Sequence, residues 1–267
     1  MQNEPTSVAL LISTYNWPKA LELVLSSVLR QSKLPDELII ADDGSREDTK
    51  EVIESFKSKF NIPLKHIWHE DKGFRKSLIL NKAVKNIESE YIIEIDGDII
   101  IHPNFIEDHI KAGQSGYFIQ GSRAMITERK AEEILLSKDI DLSLFSSGII
   151  NRFNALRLPL LAGIFSALPY NPFHIKGCNM AFWKKDYILI NGYHNNFEGW
   201  GGEDYEFGAR LLHSGIKNKR LKMAAVAYHI FHKTSSGYNR IPNDKIYRET
   251  LEKKLIYSSD GYKQVSR

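Results

Sequence analysis

The sequence predicts an α/β protein, a mostly parallel central sheet with helices on both faces. Three observations carry that reading. Short apolar runs alternate with apolar stripes of helical period through the first hundred residues, polar clusters stand directly after the apolar runs, and the second half adds a separate motif-dense stretch. Repeated β-α units of this length pack as a parallel sheet sandwiched by helices. Ligands of such sheets bind beyond the carboxyl ends of the strands.

Residues 7–13 (SVALLIS) are an apolar run of the kind buried on both faces of a sheet. After Asn16-Trp17-Pro18 the period changes: Leu21, Val24, Leu25, Val28 and Leu29 recur at helical spacing, with Pro18 suited to the first turn. Residues 37–41 form a second strand ending at Asp42-Asp43-Gly44-Ser45, and a helix follows with Val52, Ile53 and Phe56 inward. Residues 64–68 read as a third strand, 77–86 as a third helix, and 91–95 as a fourth strand running into Asp96-Gly97-Asp98. Three strand ends thus carry polar clusters, beginning at Thr14, Asp42 and Asp96, and the topology lines them along one rim. Residues 128–171 mix charged and apolar stretches without a clean period, and the signal sharpens between Lys176 and His232.

The 267 residues suffice for one large domain or two intimate ones. A hydrophobic fraction of 42% with 26% charged residues places the chain among soluble globular proteins. A net charge of +3 is too small to argue for a nucleic-acid partner. Residues 217–267 carry twelve Lys/Arg against four Asp/Glu, either a solvated basic tail or a contact for anionic headgroups or an acidic glycan. A single cysteine, Cys178, cannot form an internal disulfide, and the N-terminus lacks the pattern of a secretory signal. No apolar run approaches the ~20 residues that span a bilayer. The expected location is therefore cytoplasmic. The absence of G-x-G-x-x-G and of G-x-x-x-x-G-K-[ST] argues against a dinucleotide-binding dehydrogenase and a P-loop NTPase.

Three groups could carry chemistry. Asp96 and Asp98, separated by Gly97, can converge on one hard cation beside a diphosphate, although acidic turns at strand ends are common without one. Glu203 and Asp204 follow two glycines and open a helix expected to run to His213. There the helix dipole alone would favour them as capping carboxylates. Trp200, beside glycines, offers a flat face to a sugar ring or packs in the core. His229 and His232 close an apolar strand and are candidate metal ligands or ordinary core and surface histidines.

Together these residues resemble the nucleotide-binding half of a family-two glycosyltransferase with a GT-A (Rossmann-like) fold. The resemblance rests on Ile12-Ser13-Thr14-Tyr15-Asn16, Asp42-Asp43-Gly44-Ser45, Glu70 to Arg75, Asn81-Lys82-Ala83 and Asp96-Gly97-Asp98. Residues 176–180 and 199–206 are similar to the C-terminal region of β-1,4-galactosyltransferases and bacterial chondroitin polymerase. The resemblance implies a nucleotide-sugar-binding half, residues 1–123, and an acceptor-side catalytic lobe, residues 124–267, packed as one unit. It implies that Thr14 and Tyr15 line a uridine pocket, with Asp43, or less favoured Asp42, accepting from the uracil N–H. Arg75 and Asn81 would lie near uridine and diphosphate, Asp96 by ribose or donor sugar, and Gly97, Gly177 and Asn179 beside the donor. Asp98 and His229, with His232 in reserve, would hold Mn²⁺ or Mg²⁺. Asp204 would be the general base, and Glu203 would bind sugar hydroxyls.

The reaction so implied is inverting transfer of a hexose or N-acetylhexosamine from a UDP-sugar to a glycan or lipid-linked glycan hydroxyl. Galactose is the first choice of donor and N-acetylgalactosamine the second. One base and no second carboxylate nucleophile suit inversion. Two other classes compete: a sugar-nucleotide nucleotidyltransferase, which would want a glycine-rich triphosphate cradle after the first strand, and a non-catalytic nucleotide-sugar or glycan-binding module, which has no use for a base. Residues 158–168 (LPLLAGIFSAL) carry no charge. Eleven residues cannot span a bilayer, so they form either a buried core segment, the preferred reading, or a peripheral contact with the inner face of a membrane.

Overall fold

The computed structural model describes residues 4–167, 171–173, 175–199, 201–233 and 240–266. The first half alternates as the periods require: β1 Val8–Thr14, α1 Pro18–Leu29, β2 Glu37–Asp42, α2 Glu47–Lys57, β3 Leu64–Trp68, α3 Lys76–Lys85 and β4 Tyr91–Asp96. Then come β5 Ile99–Ile101, α4 Phe105–Ala112, β6 Tyr117–Gln120, β7 Ala124–Ile126, α5 Glu128–Ser137 and β8 Ile149–Ile150. The chain continues through α6 Pro159–Ser166, β9 Asn179–Trp183, α7 Lys184–Leu189, α8 Glu203–His213, β10 Lys217–Arg220, β11 Ala227–His229 and α9 Arg240–Glu252.

Seven strands form the main sheet in the order β10-β6-β9-β4-β1-β2-β3. β1 lies parallel to β2 and β4, β2 to β3, and β6 to β10, while β9 runs antiparallel to both β4 and β6. That reversal matters for the site. It brings the start of β9, with residues 176–179, to the rim where β1, β2, β4 and β6 end. Both β9 and β10 come from the second half of the chain, so the two halves share one sheet.

Alternation along the central strands divides the core. Leu10, Ile12, Ile93 and Ile95 pack under α1, α2 and α4, while Ala9, Leu11, Ile92 and Met180 pack under α3, α7 and α8. A second sheet, β5-β11-β7-β8, closes a third cluster with α1 and α5 through Leu23, Ile100, Ile126, Ile134 and Tyr228. Its strands are two or three residues long, too short for periodicity to reveal.

One expectation is corrected. Residues 158–167 of the apolar run are not core: α6 has no buried residue, Leu160 is 98% exposed and Ile164 65%. Leu168, the last residue of that run, and Trp200 lie outside the described residues.

A candidate metal and nucleotide-sugar site at the sheet rim

The metal-ligating candidates are assembled by two strands. β4 delivers Asp98 through Gly97, whose N–H donates to Ser13 O at 2.7 Å; a Cβ there would sit 2.9 Å from the same oxygen, so only glycine allows this approach. β11 pairs antiparallel to β5 with His229 opposite Ile99, and Ile230 N donates to Asp98 O at 3.0 Å. Asp98 Oδ2 then lies 3.5 Å from His229 Nε2 and 3.2 Å from His232 Nε2. Two ligand atoms each ~2.1 Å from one ion are about 3.0–3.4 Å apart, so these spacings suit shared coordination. Asp98 Oδ1 and His229 Nδ1 are buried without a hydrogen-bond partner among the described residues. Burial holds His229 below its ordinary pKa, in the neutral form a metal requires, whereas the hydrogen bond to Asp98 raises His232. One carboxylate with two imidazoles fits a divalent transition ion.

Beside this triad stands a carboxylate cluster. Asp96 Oδ1 accepts from Lys76 Nζ at 2.6 Å and from Ser13 Oγ at 2.9 Å. Burial pushes Asp96 up, but the Lys76 charge and these hydrogen bonds outweigh it and hold the carboxyl below its ordinary value. Gly201 and Gly202, at φ +106° and +96°, turn the chain into α8, a conformation that glycine adopts without strain. Glu203 and Asp204 open that helix, Glu203 buried and Asp204 partly so. Asp204 Oδ2 accepts from Gly177 N at 2.7 Å, while its Oδ1 and Glu203 Oε2 have no hydrogen-bond partner among the described residues. Burial, then the neighbouring Asp204 charge, pushes Glu203 up to about 7. Burial raises Asp204 as well, and Lys76 opposes that rise. Further along α8, Arg210 clasps Glu206 through two bonds of 2.6 and 2.7 Å in a buried pair, and Thr250 Oγ1 of α9 donates to Glu206 at 3.0 Å. These bonds hold the helix that presents Asp204.

At the far end of the rim, Thr14 is buried and Tyr15 exposed, its hydroxyl donating to Asp71 at 3.0 Å. Asp43 Oδ1 accepts from His69 Nε2 at 2.6 Å and Oδ2 from Arg75 N at 2.7 Å. Asp42, fully buried, accepts from Ser45 N at 2.8 Å and His66 Nε2 at 2.9 Å. The Arg75 guanidinium donates to Glu70 O. Tyr15, Trp68 and Phe74 are exposed aromatic side chains.

Known proteins share this arrangement of sequence and fold. The profile described as glycosyl transferase family 2 matches residues 9–174, well over half of the chain, and that of the N-terminal domain of galactosyltransferase matches residues 165–233. The chain belongs to glycosyl transferase family 2. It is 27% identical to the chondroitin synthase of Escherichia coli over 83% of this chain and 34% of that one. It is 24% identical to the validoxylamine A glucosyltransferase of Streptomyces hygroscopicus subsp. limoneus, over 78% of this chain and 48% of that one. The chain therefore spans from about a third to about half the length of these relatives. GalNAc-T7 with UDP, GalNAc and Mn²⁺ superposes at a TM-score of 0.68 and 15% identity, covering 94% of this chain and 48% of that one. The mannosyltransferase PcManGT of Pyrobaculum calidifontis, with GDP-Man and Mn²⁺, gives 0.61 and 14%, covering 87% and 59%. The fold is that of GT-A glycosyltransferases.

In this family-2 chain, two expected ligand-facing residues turn inward. Asn81 is fully buried, and its four hydrogen-bond positions go to Tyr193 O, Asn195 Oδ1, Tyr187 OH and Tyr193 N. No position is left for a diphosphate; Asn81 pins the 193–195 loop instead. Asn179 Nδ2 donates to Ser122 O and Ala225 O, and its Oδ1 accepts from His109 Nε2, so it braces the rim from behind. Sequence reasoning missed Lys76, His66, His69, Arg123 and Glu94. Arg123 lies in the site with a guanidinium nitrogen 2.7 Å from Cys178 Sγ. Glu94 had a usable signal: positions 94, 96 and 98 share one face of an extended chain. The cations and histidines had none, because their partners are distant in sequence.

Proposed function

We propose that this chain transfers a hexose or N-acetylhexosamine from a UDP-sugar to a glycan hydroxyl with inversion, using a divalent ion and Asp204 as base. One observation carries the reading: a single rim bears both an Asp98/His229/His232 metal-ligand triad and a partly buried carboxylate, Asp204, whose buried Oδ1 has no hydrogen-bond partner among the described residues. A binding module needs no such base. A nucleotidyltransferase would want a triphosphate cradle where Ile12-Ser13-Thr14-Tyr15-Asn16 stands.

Asp98, His229 and His232 would hold the ion, which supplies positive charge against the departing diphosphate. Tyr15 and Asp43 orient the uridine. Asp96, fixed by Lys76 and Ser13, and Glu203 hold hydroxyls of the ribose and the sugars. Asp204 takes the acceptor hydroxyl proton as the new glycosidic bond forms and the bond from the anomeric carbon to UDP breaks. Burial, which lifts Asp204 above an ordinary aspartate, makes it a stronger base near neutral pH. Galactose is the first donor to test, from the match to the galactosyltransferase profile, and N-acetylgalactosamine the second, from the likeness to GalNAc-T7. Incubation with a panel of UDP-sugars and Mn²⁺, scoring UDP release with and without EDTA, tests the proposal. Release from at least one UDP-sugar, abolished by EDTA, is expected; none from any would reject it.

A further inference from the structure

Residues 142–185 contain no Asp or Glu, and neither do residues 207–243. The fold packs these two acid-free runs against each other at α6. Leu158 N donates to Met223 O at 2.9 Å, Lys222 N to Ser166 Oγ at 3.0 Å, and an Arg220 guanidinium nitrogen to Phe165 O at 3.2 Å. Lys222 Nζ also donates to Asn154 Oδ1 at 2.8 Å, tying in the turn that carries Phe153, itself 83% exposed. An apolar knob results, formed by Phe153, Leu158, Leu160, Leu161 and Ile164, all exposed. Cations recur along the same two runs. Arg152, Lys176 and Lys217 are exposed, and the Lys219 and Lys222 ammonium groups donate to neutral oxygens, with no carboxylate pairing them among the described residues.

We propose that this face docks on an anionic lipid bilayer, with α6 seated at the boundary between headgroups and acyl chains and these cations on the headgroups. Charge decides the occupant. A second copy would set cations against cations across a two-fold contact, which costs free energy, whereas an anionic surface meets them with opposite sign. No described helix is long and apolar enough to cross a membrane, so the contact is peripheral. The chain leads from α6 to Gly177, whose N–H holds Asp204. Docking close in sequence to this part of the site would suit a lipid-borne acceptor. That purpose rests on the transferase reading; the docking itself does not.

The test is co-sedimentation of the whole chain, without donor or acceptor, with vesicles of phosphatidylcholine alone or mixed with phosphatidylglycerol. Binding to the anionic vesicles is expected to be ~10-fold tighter or more and to weaken as salt rises. Leu160→Ser with Ile164→Ser, and separately Arg152→Gln with Lys217→Gln, are each expected to weaken it ~10-fold. These side chains are exposed, and unchanged UDP-sugar hydrolysis in solution checks that the variants fold. Equal or absent binding to the two vesicle types, or a serine variant that binds like the original, overturns the proposal. So does a dimer lost in the serine variant without vesicle binding, which would assign the face to a second copy. Failure of UDP-sugar hydrolysis by the unaltered chain would count against the transferase reading and leave the vesicle result standing.

Discussion

At the scale of single residues, Asp98 is held between two imidazoles while one of its own oxygens lacks a hydrogen-bond partner among the described residues. Asp98→Ala is expected to abolish Mn²⁺-dependent UDP binding, measured by titration calorimetry with and without EDTA; unaltered affinity would remove Asp98 from the metal site. His232→Ala is expected to weaken Mn²⁺ affinity by ~10-fold or more, since one of three ligands is lost. The two acids opening α8 separate by role. Asp204→Asn is expected to lose ~10²-fold or more in transfer while still binding UDP-sugar, because only proton transfer is removed. If Glu203→Gln lost transfer and Asp204→Asn kept it, the base would be Glu203. Lys76 adds a pH signature. Its charge opposes the rise of Asp204, so Lys76→Met is expected to move the acid limb of the transfer rate to higher pH.

At the scale of elements, α8 acts as a rigid mount. Gly177 lies so close to its first turn that a Cβ would stand 2.3 Å from Asp204 Oδ1. Gly177→Ala is expected to push the carboxylate aside and cost ~10²-fold in transfer with UDP binding kept, as small misplacements of catalytic groups do. A variant with normal turnover would show that Asp204 tolerates displacement. The mount itself depends on the Glu206–Arg210 pair, buried at both ends. Arg210→Ala leaves the Glu206 charge unpaired and is expected to lower unfolding free energy by ~3–5 kcal/mol in urea titration. Arg210→Met with Glu206→Leu should recover most of that loss, because the desolvation cost of both charges disappears. A double variant as unstable as Arg210→Ala would mean that the pair does more than balance charge.

At the scale of the whole molecule, the sheet gathers acids from β4 and α8 into a low-dielectric interior, and Glu94 shows the cost. Its Oε1 accepts from Tyr193 OH at 3.0 Å, its Oε2 has no hydrogen-bond partner among the described residues, and burial pushes its pKa up to about 8. The folded chain therefore keeps a proton that the unfolded chain releases near pH 4.5. Stability from this group is present at low pH and is lost as pH rises from about 4.5 to about 8. Glu94→Gln keeps the neutral shape at every pH. Relative to that variant, the unaltered chain is expected to lose on the order of 4 kcal/mol of unfolding free energy across this window. Parallel denaturation curves without metal would check it, and equal pH slopes for the two proteins would show Glu94 ionised in the fold.

The sequence by itself determined the alternating order of strands and helices through residue 96, the rim where Thr14, Asp42 and Asp96 end their strands, and the acids at the head of α8. Each rests on local physics: side-chain period, strand-end polarity and helix-start chemistry act over a few residues. Only the tertiary structure decided the rest. The direction of β9 depends on its neighbours, and that reversal carries Gly177 to Asp204. Asn81 and Asn179 carry side chains as suited to a ligand as to a brace, and packing assigned them to the brace. Lys76 and Asp96, twenty residues apart, meet because α3 and β4 share an edge of the site. The run LPLLAGIFSAL was apolar enough for core, but the fold left residues 158–167 of it without a buried side chain, because burial is a property of neighbours rather than of composition.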